Sequence, residues 1–165
     1  MLKWCSLLAL ALTSCSENPA WYPLPPQRES IQNAPPAFIQ MNDPAADKRI
    51  VSDVRGLEGT WRWSGKRPTF RFPASTVEPA RAVVEFAIAG ETFKTTGPLT
   101  LTFLVNGTAV DSVRYAKPGN YRFEKPVTLS TAEPNTLAID IDKVWTSPTD
   151  GTQLGIILSA AGFLP

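Results

Sequence analysis

Histidine is absent from the 165 residues, and cysteine occurs only as Cys5 and Cys15. The missing imidazole takes with it the usual general base, the usual proton shuttle and the commonest metal ligand, and it excludes serine and cysteine triads of the familiar kind. What stays open is chemistry done by carboxylates alone. An excess of one charge is lacking too: 16 Lys and Arg stand against 15 Asp and Glu, a net charge of +1. The most basic stretch, Arg49, Arg55, Arg62, Lys66, Arg67, Arg71 and Arg81, is broken up by Glu58, Glu78 and Glu85. A phosphate-tracking surface needs clustered cations, so no nucleic-acid partner is expected. Long apolar runs are also missing. The run Leu7-Leu8-Ala9-Leu10-Ala11-Leu12 falls well short of the roughly 20 apolar residues of a membrane helix.

That run follows Lys3 and leads into Thr13-Ser14-Cys15, the layout of a short export signal with small residues at its end. The tetrad Leu12-Thr13-Ser14-Cys15 resembles the lipobox of bacterial lipoproteins, in which the cysteine receives a diacylglyceryl group. The resemblance implies removal of residues 1–14, a lipid on Cys15 that holds the protein to a membrane, and, with Ser16 rather than aspartate next in line, sorting to the outer membrane. An ordinary secretory signal is the alternative. The mature chain would then keep no thiol for a disulfide, a nucleophile or a metal. Two or more acyl chains on one cysteine suffice for stable attachment.

Seven of the 16 prolines lie between Pro19 and Pro44. Proline lacks a donor and holds its predecessor extended, so residues 15–48 read as a tether in open coil and polyproline II. Trp21-Tyr22 and Phe38-Ile39 interrupt it, and docking on the parent domain is the favoured reading of the second pair.

Residues 49–165 change to alternation, the mark of half-buried strands. Leu99, Leu101, Phe103 and Val105 share one face, as do Val84, Phe86 and Ile88, and Leu137, Ile139 and Ile141. Asn106-Gly107 between two such runs predicts a type I′ hairpin, since both residues accept positive φ. Lys117-Pro118-Gly119-Asn120 predicts a type II turn. The near-continuous Leu154-Gly155-Ile156-Ile157-Leu158 reads as a central strand. Seven or eight strands without an amphipathic helix point to an all-β fold, an antiparallel β-sandwich, with a jelly roll preferred over an immunoglobulin-like order.

Three landmarks, Gly59-Thr60-Trp61-Arg62-Trp63-Ser64-Gly65-Lys66, Val105-Asn106-Gly107 and Asp150-Gly151-Thr152-Gln153-Leu154-Gly155, follow one another in an order that resembles galactose-binding-like jelly-roll domains of bacterial envelope proteins. The resemblance covers roughly residues 51–165 and implies a carbohydrate-binding or structural module. Where that family often carries Arg before the Leu-Gly pair, this chain has Gln153.

Trp61 and Trp63, at i and i+2 of a strand, share a face and could form a sugar-stacking platform or fill the core. Trp145, among Thr146, Ser147 and Pro148, reads as a loop residue and is the better aromatic binding candidate. Asp140 and Asp142 share a strand face. Paired carboxylates are the equipment of glycosidases, but there the pair flanks a cleft from different strands. Asp140, Asp142 and Asp150 also offer the oxygens calcium takes, with no EF-hand-like loop beside them. The expectation is therefore a non-catalytic, lipid-anchored envelope protein that displays a β-sandwich binding or scaffolding surface, with glycan a candidate ligand, and needs no cofactor or metal. The alternative is a protein-interaction subunit of an envelope export or assembly complex.

Overall fold

In a computed structural model of the chain, residues 37–165 other than Val77 are described. Eleven strands account for most of them. They are β1 (Phe38–Gln40), β2 (Ile50–Glu58), β3 (Trp61–Phe72), β4 (Ala80–Ile88), β5 (Leu99–Val105), β6 (Thr108–Tyr115), β7 (Gly119–Val127), β8 (Asn135–Ile141), β9 (Trp145–Thr146), β10 (Gln153–Leu154) and β11 (Ile157–Leu164). One seven-residue helix, α1 (Gly90–Thr96), follows β4.

Every strand pairing among the described residues is antiparallel. One layer runs in the order β6-β5-β8-β3 and the other β1-β11-β4-β7. Only β5 and β6 are consecutive neighbours within a layer among these eight, and every other connection crosses to the opposite layer. That is jelly-roll connectivity rather than the immunoglobulin order. The layers are joined through β3, whose first residues pair with β11 (Trp63 with Ile157) and whose last pair with β8 (Phe72 with Asn135).

The expected faces hold. Leu99, Leu101, Phe103 and Val105 are buried while Thr100, Thr102 and Leu104 between them are half-exposed. Across the sandwich, Phe103 stacks on Phe123 at 3.6 Å between ring centroids, and Phe72 meets Phe163 edge-on at 5.4 Å. No cysteine occurs between residues 37 and 165, so this packing does the work a disulfide would share, at about 1.5–3 kcal/mol for each large side chain buried. Asn106 and Gly107 turn the β5–β6 hairpin with φ of 51° and 80°, the backbone a type I′ turn requires.

Four features depart from the sequence reading. Residues 37–48 belong to the fold, not to the tether: Phe38, Ile39, Met41 and Ala46 are buried, and β1 pairs with β11. The buried Arg62 guanidinium clamps this segment, donating from Nε to the Met41 carbonyl at 3.0 Å and pairing with Asp47 at 2.9 Å. Gly162 gives β1 room, because a Cβ there would lie 2.2 Å from the Ala37 carbonyl oxygen. Helix α1 was not expected; it is only two turns long and stops at Gly97, where φ is 66°. Gly119, at φ 146°, already belongs to β7, so Lys117-Pro118 bends the chain without the anticipated type II turn. Leu154 pairs in the separate β9–β10 ribbon, and the central strand starts at Ile157. The export signal, Cys15 and Trp21-Tyr22 lie outside the described residues.

Tyr115, buried edge-on against Phe86 at 5.3 Å, has its phenol pushed up to about 12, by burial first and then by Tyr121 and Asp111. A raised value means the fold holds this proton more tightly than the unfolded chain, whose tyrosines ionise near pH ~10. Stability should therefore be flat in this term below that pH and fall as pH climbs toward 12. Alkaline unfolding curves check it: Tyr115→Phe should remove part of the decline, and an unchanged slope would show that burial of Tyr115 is not its cause.

Candidate functional site

Three chain-distant pieces meet at one end of the sandwich. The first is the start of β3. Trp61 and Trp63 point the same way, as their spacing requires, and pack edge to face with centroids 6.0 Å apart. They do not enter the sandwich interior. Trp63, Ala87, Ala89 and Ile157 form a separate apolar cluster flanked by Trp61 and Leu154. Trp63 is buried and Trp61 half-buried.

The second piece is the β9–β10 ribbon, in which Trp145 pairs with Leu154. Its turn is closed by Ser147, whose amide donates to the Thr152 carbonyl at 2.8 Å. Asp150 sits in that turn. Hydrogen bonds from Ser147 and from the Thr152 amide hold its carboxyl down at about 2, below the ordinary carboxylate range. Trp145 is thus fixed by strand pairing, and half-buried rather than free in a loop.

The third piece is α1, which packs on the ribbon and presents Glu91, Thr92 and Thr95. The buried Thr92 hydroxyl donates to the Ala89 carbonyl at 3.2 Å, tying the helix to the end of β4. Between the pieces lies a groove of about 260 Å³ lined by Trp63, Glu91, Thr92, Thr95, Trp145 and Leu154. Two indoles, an aliphatic side chain and three polar side chains make a concave site that mixes apolar surface with hydrogen-bonding groups, as small-ligand pockets do.

Asp140 and Asp142 lie elsewhere. Asp140 is on the outward side of β8, opposite Leu137, Ile139 and Ile141, and Asp142 is in the bend just after the strand. Asp140 pairs with Arg67 at 3.3 Å, and Asp142 accepts from the Thr100 amide at 2.8 Å. Neither reaches the groove, and each has a structural task. Glu91, Thr92 and Thr95 were missed in the sequence because nothing marked α1 as a helix; Gly97-Pro98 was the available stop signal. Arg55, on β2, donates from Nη2 to the Gln153 carbonyl at 3.0 Å.

Edge strand β2 carries the exposed Val51 and Leu57. Among the described residues, no helix is long and apolar enough to cross a membrane.

No protein-family model matches the chain, and no curated protein matches it. Solved structures do. Dimeric latent PorU from Porphyromonas gingivalis aligns over 76% of this chain at 12% identity and a TM-score of 0.47. A family GH115 4-O-methyl-α-glucuronidase with specificity for decorated arabinogalactans aligns over 84% at 13% identity and 0.46. The chain spans only 12% and 19% of those two proteins. A family 35 carbohydrate-binding module from an environmental isolate aligns over 78% of this chain and 96% of its own length, at 12% identity and 0.43. The jelly-roll assignment rests on the strand order above.

Proposed function

We propose that this is a non-catalytic carbohydrate-binding module, tethered in the bacterial envelope through a lipid on Cys15. The observation that carries the reading is the groove between Trp63 and Trp145. The half-buried Trp145 offers an indole to the apolar face of a pyranose ring, and the exposed Thr95 hydroxyl with the Glu91 carboxylate can give and receive hydrogen bonds at its rim. The groove's size suits a single ring rather than a long polymer. Hydrolysis is disfavoured because the carboxylates nominated for it, Asp140 and Asp142, are engaged by Arg67 and the Thr100 amide on a different surface.

Titration of the mature chain with a panel of soluble oligosaccharides, followed by tryptophan fluorescence, tests the binding. Trp145→Ala is expected to weaken the best ligand by a factor of ~10 or more, the loss typical of a central aromatic anchor. Asp140→Asn should bind as the parent does. If Trp145→Ala binds normally, or no glycan perturbs the fluorescence, the reading fails. The tether is tested separately by mass spectrometry of the natural product, which should begin at a diacylglyceryl-modified Cys15; a retained Met1 or a free thiol overturns that part. The second reading, a protein-interaction subunit of an envelope complex, draws on the exposed Val51 and Leu57 at the open β2 edge.

A further inference from the structure

Among the described residues that line the groove, one is charged, and it is an acid. Glu91 faces the same space as Trp145, and no lysine or arginine joins them on the wall. Its carboxylate already holds an ammonium: Lys94 Nζ lies 2.6 Å from Glu91 Oε1. Both side chains are substantially open to water, at 72% exposed for Lys94 and 43% for Glu91. Such an exposed pair, three residues apart on one short helix, is weakly held, so Lys94 can leave at little cost.

A carboxylate beside an aromatic face is a combination that attracts a protonated amine. The acid supplies the ion pair and the ring quadrupole a cation–π contact. A uronic acid or sulfated sugar would meet the opposite situation: Lys94, the cation beside the groove, is already paired with Glu91, and the sugar's own negative charge would compete with that carboxylate for it. Resting on the glycan-binding reading above, we infer that the groove selects an amino sugar with a protonated amine, bound by Glu91 and Trp145 after displacement of Lys94. Thr92 and Thr95 then face the ring hydroxyls. Lys94 acts as an internal competitor that sets the affinity, a role its position one turn from Glu91 provides.

Three tetrasaccharides separate the outcomes when titrated calorimetrically into the full mature chain at neutral pH and fixed salt: glucosamine units, N-acetylglucosamine units, and galacturonic acid units. The free-amine form is expected to bind ~10-fold tighter than the acetylated form, with the galacturonate weakest. Glu91→Gln should bring the first two within about twofold of each other, whereas Lys94→Met should tighten the amine form several-fold. Opposite signs from two neighbours on one helix would not arise from loss of a merely structural contact. Equal or better binding of the acetylated or acidic sugar, or a preference that survives Glu91→Gln, overturns the selectivity and leaves glycan binding standing. Failure of all three sugars in the parent protein overturns the amino-sugar selectivity, and glycan binding falls with it if the wider oligosaccharide panel is also silent.

Discussion

Gly155→Val is expected to cost at least ~3 kcal/mol and to lower the melting temperature by roughly 10 °C. The reason lies in how the two layers are sewn together. Where β3 passes from one layer to the other, Ser64 exchanges backbone bonds with the loop before β11: its amide donates to the Ile156 carbonyl and its carbonyl accepts from the Gly155 amide, both at 2.8 Å. The buried Ser64 hydroxyl completes the seam by accepting from the Ile156 amide at 2.9 Å. A Cβ on Gly155 would lie 2.5 Å from the Gly65 carbonyl oxygen and 2.7 Å from the Ser64 hydroxyl. Backbone on one side and a buried hydroxyl on the other cannot swing away, so relief requires opening the seam. Leu154 would move with it, and the groove should weaken along with the fold. Thermal melts and oligosaccharide titration check the two effects; a Gly155→Val protein within ~1 kcal/mol of the parent would refute the account.

Asn135→Ala should be nearly as damaging, at about 3 kcal/mol, for a different reason. Asn135 is fully buried, and its amide is the hub of a small polar network. Its oxygen accepts from Asn106 Nδ2 at 2.9 Å and from the Ser130 amide at 2.7 Å, while its nitrogen donates to the Ser130 carbonyl at 3.0 Å. Truncation removes all three bonds from a buried side chain at once and leaves the half-buried Ser130 amide and carbonyl without their partner, and each buried group so orphaned costs about 1–3 kcal/mol. Asn106 in turn accepts from the Thr136 amide at 2.8 Å, which ties the β5–β6 hairpin to β8. A double-mutant cycle with Asn106→Ala should therefore show coupling above ~0.5 kcal/mol. Strict additivity would mean that the two amides act independently.

These two positions also mark where the sequence could be read and where it could not. The strands of the interior were legible, because burying one face imposes period two on Leu99 to Val105 and on Leu137 to Ile141. Asn106-Gly107 was legible as a turn, since its backbone demand is local. That the Asn106 side chain would also reach β8 depends on residue 135 and leaves no local trace. Strand β2 escaped notice because Asp53, at φ 60°, and three register shifts break its alternation. Strand β1 is three residues long and follows a proline pair, too short to display a period. The jelly-roll order could be preferred from strand number alone but was determined only by the pairing.

For the site, the tryptophans were visible as large aromatics, but their grouping was not. Trp63 and Trp145 are 82 positions apart and come together because β3 and β10 are neighbours. Asp140 and Asp142 looked like a pair because the alternation puts them on one strand face. Once placed, Asp140 pairs with Arg67 and Asp142 accepts from the Thr100 amide, away from the groove. Two of the three galactose-binding-like landmarks, around Trp63 and Leu154, border the groove.

Strand β1 is held to β11 by three residue pairs and, just beyond them, by the Arg62 clamp on Met41. A pull on the chain from the amino-terminal side of Ala37 would load those few contacts one after another, as in peeling tape, while the broad β4–β11 and β4–β7 contacts stay unloaded. The entry segment would thus act as a mechanical fuse with a catch: it is expected to yield first under tension, to stop at the guanidinium, and to leave the groove end its shape.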